Sequence, residues 1–147
     1  MPAKEHRDYS ATPLARKLGI REGARLVVVD APEGFVASLA PLPDGVRLGT
    51  RATGSVDVGV AFAVARSRLE RRAGPLVRAL AIDGGLWFAW PKKASRVDTD
   101  LTFDIVQRIG LDAGLVDNKS ASIDDVFQAM RFVYRLKDRP ALRQGRR

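Results

Sequence analysis

Basic and aromatic side chains lie directly after apolar runs of the sequence, where they could bind an anion. Lys92 and Lys93 follow the apolar run 86–90, which ends in Trp90, and Arg66 and Arg68 follow the alternating run 55–65. Cations beside an aromatic ring are a recurring contact for anions and nucleic acids. Solvated surface charge is the simpler explanation of the same pattern. Which interpretation holds depends on whether the fold brings these residues to one place.

A second group of candidate residues follows the β-branched run 25–29. Nucleotide-binding loops at such a position are rich in glycine, because the backbone must pass close to the ligand. Here the loop has one glycine, Pro32 lacks an N–H donor, and Glu33 places a carboxylate at the start of the next helix. A dinucleotide phosphate is therefore disfavoured. The candidate ligand-binding residues are Asp30, Pro32, Glu33, Gly34, Phe35, Arg66, Trp90, Lys92, Lys93 and, inside a later strand, Asn118 and Lys119.

Side chains that commonly carry acid–base, nucleophilic or metal chemistry are scarce. The chain has no cysteine and a single histidine, His6, in an N-terminal segment without periodicity. This composition disfavours histidine-based catalysis and cysteine-ligated metal. The carboxylates of 98–104 and 124–125 could hold a hard cation, but the first group is typical of a helix N-terminus and the second of a turn. We predict no catalytic residue and no metal site.

The elements that would position the candidate residues alternate between helix and strand. Apolar and alternating runs predict strands at residues 25–30, 46–51, 55–65, 84–90, 115–123 and 127–136. Caps and apolar stripes predict helices at 12–19, near 35–39, from 67 to about 80 with a break or kink at Pro75, and from 98 to about 110. This order predicts a three-layer, Rossmann-like α/β fold whose mainly parallel sheet is closed by a C-terminal antiparallel hairpin. Ligands of such sheets bind outside the carboxyl ends of the strands, so we place the candidate site there.

The net charge of +8 is concentrated near the C-terminus, where seven basic residues of segment 131–147 face a single acid, Asp138. Such a segment is more often solvated than a binding arm. We predict a flexible arm at 1–11, one domain at 12–137 and a basic, disordered tail at 138–147. No run approaches the roughly 18 apolar residues of a membrane span and no signal peptide is evident, so we expect a cytoplasmic protein without membrane contact.

Several blocks of the sequence resemble known proteins. Segment 18–30 and the order of elements are similar to class I methyltransferases, whose parallel sheet also ends in an antiparallel hairpin. Short blocks resemble a family of small bacterial proteins classed as domains of unknown function: 11–19, Ala31-Pro32-Glu33-Gly34-Phe35, Trp90-Pro91-Lys92-Lys93-Ala94-Ser95, 99–102 and 114–119. The resemblance implies a shortened methyltransferase-like fold and brings no catalytic residues with it.

These observations lead to three functional hypotheses. The first is a non-catalytic Rossmann-like domain that binds an anionic small molecule or a partner protein at the carboxyl edge of its sheet, without a cofactor. The alternative is a methyltransferase that uses S-adenosylmethionine and has a degenerate cofactor loop. The third is a nucleic-acid accessory protein that uses the basic tail. The sequence leaves the oligomeric state open.

Overall fold

A six-stranded sheet is the centre of the computed structural model, which describes residues 12–145. The strands are β1 (Arg25–Val29), β2 (Arg47–Gly49), β3 (Val56–Phe62), β4 (Leu80–Pro91), β5 (Leu115–Ser122) and β6 (Phe127–Tyr134). Their order across the sheet is β2-β1-β3-β4-β6-β5. Strands β2, β1, β3 and β4 are parallel, whereas β6 runs antiparallel to both β4 and β5. The predicted mainly parallel sheet with a terminal hairpin is confirmed, while the predicted N-terminal arm with His6 lies outside the described residues.

Helices cover both faces of the sheet. They are α1 (Leu14–Lys17), α2 (Phe35–Ser38), α3 (Arg66–Ala79), α4 (Phe103–Asp112) and α5 (Arg139–Gly145). Residues of α1 and α2 share one apolar cluster, and those of α3 and α4 share the cluster on the opposite face. Among residues 12–145, no helix combines the length and the apolar character needed to cross a bilayer.

Strand β4 lies inside the sheet and contributes side chains to both clusters. Leu86, Phe88 and Trp90 pack on the α3 and α4 face, while Trp87 and Ala89 pack on the α1 and α2 face. This alternation follows from the period of two along a strand. The continuous apolar run therefore marks a strand that is covered on both sides.

Helix α3 begins one residue earlier than predicted and is one helix rather than two. It begins at Arg66 rather than Ser67, after an extended Ala65, and it continues through Pro75 without ending. Its buried residues lie on both sides of the proline: Leu69, Ala73, Leu76 and Ala79. Because this stripe packs on the sheet along its whole length, tertiary packing holds together a helix that the local sequence disfavours.

The C-terminal segment is a helix where the sequence indicated a disordered tail. Two acceptors hold the start of α5, because Arg139 donates to the backbone oxygen of Tyr134 at 3.2 and 3.3 Å and lies 3.7 Å from the Asp83 carboxylate. Arg143 reaches the same carboxylate at 3.3 Å. Like-charge repulsion is thus offset by an acid of β4, a contact far away in sequence.

Candidate functional site

A crevice opens between the carboxyl ends of β1 and β3. These strands are neighbours in the sheet, but the chain passes from β1 through α2 to β2 on the other side before it returns to β3. This is the switch point at which open α/β sheets bind ligands. The crevice has a volume of about 570 Å³. Its apolar walls are formed by Ala31, Pro32, Phe62, Ala63, Val64 and Phe127, and its polar rim by Asp30, Ser67, Arg68 and Arg71.

A cluster of three aromatic rings lies at the crevice, and two of the rings line it. Phe62 is 2% exposed and makes edge-to-face contacts with Phe35 at 4.7 Å and with Phe127 at 5.1 Å between ring centroids. Phe35 comes from α2 and Phe127 from β6, so this cluster joins three elements that are distant in sequence. Of these three, the sequence singled out only Phe35, which is buried behind Phe62 rather than in the crevice wall.

Asp30, directly after β1, has an unusual backbone conformation and forms ion pairs with two arginines. Its φ angle of 56° lies in the left-handed region, which aspartate tolerates better than most residues. Its Oδ2 lies 3.1 Å from Nε of Arg68 and 3.2 Å from Nε of Arg72. The hydrogen bond from Arg68, together with Arg72, lowers the pKa of the Asp30 carboxyl below its usual value. The carboxylate is therefore ionised and already paired at neutral pH.

The loop after β1 divides between two depressions. Asp30 and Pro32 line the crevice, whereas Glu33, Gly34 and Phe35 line a separate depression of about 430 Å³ beside α1. Gly34 has a φ of 88°, where a side chain would be strained, so glycine is required there for backbone geometry. The predicted loop residues thus do not form one site.

Arg66 does not line the crevice, whereas Arg68 does. Arg66 pairs with Glu70 at 3.0 Å, and its backbone N–H donates to the Asp100 carboxylate at 2.7 Å. Arg68 and Arg71 line the crevice instead. The spacing of Arg68 and Arg72 by one helical turn is the sequence signal that could have identified the partners of Asp30.

The residues at the end of β4 do not reach the crevice. Trp90 is only 2% exposed and packs in the core, with its ring 6.4 Å from that of Phe103, so it offers no stacking surface to a ligand. Lys92 is half-buried at the same edge, and its Nζ donates to the Ser122 hydroxyl at 2.7 Å. Lys93 begins a short 3-10 turn. The aromatic and the basic residues of this block are thus separated by burial.

Asn118 and Lys119 lie away from the carboxyl edge. Both are exposed in β5, where the pairing with β6 shifts register between Asp117 and Lys119. Lys119 pairs with Arg131 in the middle of the hairpin and lines a groove at the opposite edge of the sheet. Neither residue lines the crevice, because a polar residue in a strand indicates exposure and not which end of the sheet it occupies.

The carboxylate groups serve as local caps and turns. Asp124 accepts from the backbone N–H groups of Val126 at 2.8 Å and Phe127 at 2.7 Å, as expected of a turn. Asp100 accepts from the N–H of Arg66 at the start of α3. Within residues 12–145, no three histidine, cysteine, aspartate or glutamate side chains are grouped to hold a metal.

Comparison with solved structures shows the fold. The chain is similar to LepI in complex with SAM (TM-score 0.52, 13% identity, 84% of this chain and 47% of that one). It is similar to the pyocyanin biosynthetic protein PhzM (TM-score 0.60, 11% identity, 83% and 53%). It is also similar to the magnesium protoporphyrin IX methyltransferase ChlM from Synechocystis PCC 6803 with bound SAM (TM-score 0.54, 11% identity, 83% and 74%).

The neighbours confirm a methyltransferase-like, Rossmann-like layout. The chain spans about half the length of LepI and PhzM. No protein-family model matches the chain, and no curated protein matches it in sequence. At 11–13% identity the likeness establishes the arrangement of helices and strands, and the chemistry of the crevice must be argued from its own residues.

Proposed function

We propose that this chain is a methyltransferase-like domain that binds S-adenosylmethionine in the crevice between β1 and β3. The observation that carries the proposal is the crevice itself, which is open, about 570 Å³ in volume and set at the switch point of the sheet. Two of the structural neighbours, LepI and ChlM, were solved with SAM. This choice favours the second of the three hypotheses from the sequence.

The crevice lining suits the two ends of this ligand. A purine is planar and largely apolar, and the walls contributed by Pro32, Val64 and Phe127 offer it an apolar surface. The methionine part carries a carboxylate, and Arg71 lines the crevice without an acceptor among the described residues. We therefore assign the ligand carboxylate to Arg71, since guanidinium groups match carboxylates in two-pronged geometry.

Methyl transfer is compatible with a crevice that holds no histidine or cysteine side chain among the described residues. In this reaction a nucleophile of the acceptor forms a bond to the methyl carbon, while the sulfonium sulfur keeps the electron pair of the bond that breaks. Alignment of the two reactants supplies most of what the protein must contribute to such a displacement. The missing acid–base groups therefore restrict the acceptor to one that is nucleophilic by itself.

Isothermal titration of the full chain with S-adenosylmethionine and S-adenosylhomocysteine tests the proposal. We expect binding of both, and a Val64→Trp variant should bind at least about tenfold more weakly, because the indole would fill the crevice mouth. Val36→Trp is the matched control, since Val36 on α2 is 40% exposed, Val64 is 46% exposed, and only Val64 lines the crevice. Absence of binding by the unmodified chain, or equal weakening in both variants, would refute the proposal.

An anionic ligand without an adenosyl group is the second candidate. It is favoured by the arginines near the rim, since Arg68 and Arg72 share a single carboxylate, that of Asp30, and Arg71 has no acceptor among the described residues. Thermal stabilisation by sugar phosphates or acyl-coenzyme A would identify it, since a ligand at 100 times its dissociation constant adds about 2.7 kcal/mol. Stabilisation by these anions but not by S-adenosylmethionine would replace the first candidate with this one.

The nucleic-acid hypothesis stays a prediction. Two basic residues of the tail, Arg139 and Arg143, already pair with Asp83. Binding through the tail would weaken steeply with salt and disappear on truncation after Leu136. Affinity that survives this truncation would exclude the tail as the binding element.

A further inference from the structure

A second depression lies at the amino edge of the sheet, opposite the crevice. It is a groove of about 540 Å³ between the segment that precedes β1, the starts of β3 and β4, and the middle of the β5–β6 hairpin. No residue lines both the groove and the crevice. Whatever the groove binds is therefore independent of the function proposed for the crevice. We call it the amino-edge groove.

Basic side chains in the amino-edge groove lack acidic partners. The basic lining residues are Lys17, Arg21, Lys119 and Arg131, and no ion pair joins any of them to an acid within residues 12–145.

The lining acids are mostly engaged elsewhere. Asp57 accepts from the backbone N–H of Arg25 at 2.8 Å, and Asp83 pairs with Arg139 and Arg143. Glu22 is the lining acid that remains unpaired among the described residues. The lining of the amino-edge groove has four basic and three acidic side chains, a net charge of +1, and no described acid forms an ion pair with any of the four basic groups.

Arg131 is the most strongly constrained of these cations. It pairs with Trp87 of β4 across the sheet, and its guanidinium occupies the space beside Gly85, where an added Cβ would lie 2.3 Å from Nε. Burial, reinforced by the charges of Arg139 and Arg21, lowers the pKa of Arg131. A partly desolvated cation without a counter-ion is energetically costly, and a bound anion would remove that cost.

We propose that the amino-edge groove binds a phosphate-type multivalent anion, with Arg131 as its central contact. Arginine donates two parallel hydrogen bonds to a phosphate, and the flanking lysines and Arg21 add point charges. The volume of the groove exceeds that of a single phosphate, so the anion is the charged end of a larger molecule such as a phosphorylated metabolite.

Pyrophosphate is the probe that tests this site. We expect calorimetric binding of pyrophosphate to the full chain at low ionic strength, weakening as salt is added. Arg131→Met should raise the dissociation constant about ten- to hundredfold, because a hydrogen-bonded charge is lost. Lys119→Met, on an exposed strand position, should raise it by a smaller factor and gives a second variant if the first is poorly folded.

Two controls separate a built site from general attraction to a basic protein. Arg108→Met removes the same charge from α4, where Arg108 is exposed and pairs with Asp112, and it should leave the pyrophosphate affinity unchanged. Val64→Trp blocks the crevice and should also leave it unchanged. No binding of pyrophosphate, equal weakening by Arg108→Met and Arg131→Met, or loss of binding in Val64→Trp would each overturn the proposal.

Discussion

The two ends of the sheet differ in how their charged side chains are paired. At the carboxyl edge, the crevice has an aromatic floor, and its one carboxylate, Asp30, is shared by Arg68 and Arg72. At the amino edge, the groove has four basic side chains that form no ion pair with a described acid, and Arg131 lies partly buried against Gly85. The first site is placed by topology, because parallel strands always end in a crevice at a switch point. The second depends on side-chain choice alone, and it could be lost or gained by one or two substitutions.

The comparison predicts that the aromatic cluster beneath the crevice contributes strongly to stability. Phe62→Ala should lower the free energy of unfolding by about 3–5 kcal/mol, because it empties the centre of the Phe35, Phe62 and Phe127 cluster. Urea denaturation measures this loss. Leu48→Ala on β2, where Leu48 is 43% exposed, should cost well under half as much. A loss for Phe62→Ala similar to that for Leu48→Ala would show that the aromatic floor is not packed.

The second prediction concerns the glycine beneath Arg131. Gly85→Ala should cost about 1–3 kcal/mol, since its methyl group would overlap the guanidinium and force it to move. Gly49→Ala is the matched control in β2, because an added Cβ there has its nearest neighbour at 4.0 Å. A double-mutant cycle with Arg131→Met should recover part of the loss. Strict additivity in that cycle would mean that the two residues are not in contact.

The third prediction concerns the charge of Arg131 at the amino edge. Arg131→Met should raise the free energy of unfolding by about 1 kcal/mol or less, since it replaces an uncompensated, partly buried cation with an apolar side chain. Chemical denaturation at low salt measures the change, with Arg108→Met as the charge-matched reference. Clear destabilisation by Arg131→Met alone would indicate a protein acceptor for Arg131.

The smallest expected effect is the pH dependence of Asp30. Its pKa is lowered in the folded state by hydrogen bonds from Arg68 and Arg72, so its ionised form contributes stability above the unfolded pKa of about 3.9. That contribution is lost as the pH falls through the lower, folded pKa. The stability difference between the unmodified chain and Asp30→Asn should therefore be constant between about pH 5 and about pH 8, and it should vanish in acid.

Acid denaturation of both proteins checks this prediction. Asparagine tolerates the left-handed backbone of position 30 as well as aspartate does, so the comparison isolates the charge. A difference that persists unchanged in strong acid would show that the arginines contact Asp30 through something other than its ionised form.

The order of helices and strands could be predicted from the sequence because each element carries its own periodicity. The alternation of Val56–Phe62 and the continuous apolar run of β4 each indicated a strand, and the fold class followed from their order. The position of β6 between β4 and β5 could not be deduced, since it depends on pairing between distant segments. Phe127 reaches the crevice only because of that insertion.

The candidate site was harder to predict than the fold. A helix turns by about 100° per residue, so Arg66 and Arg68 point in nearly opposite directions from α3, and of the two only Arg68 lines the crevice. The end of β4 was equally hard to interpret, because Trp90 is the last buried residue of β4 on its face, whereas Lys92, two residues further on, is half-buried. The helical tail was missed because its acidic partner, Asp83, is more than fifty residues away.

The two edge strands of the sheet are poor templates for β-pairing with another molecule. Strand β2 has only three residues, and β5 is polar, exposed and interrupted by a bulge around Asn118. Short, charged or bulged borders do not template the addition of strands from another molecule. We therefore expect the bulge at Asn118 to oppose β-pairing with another molecule. Deletion of Asn118 should restore a regular edge strand and promote aggregation.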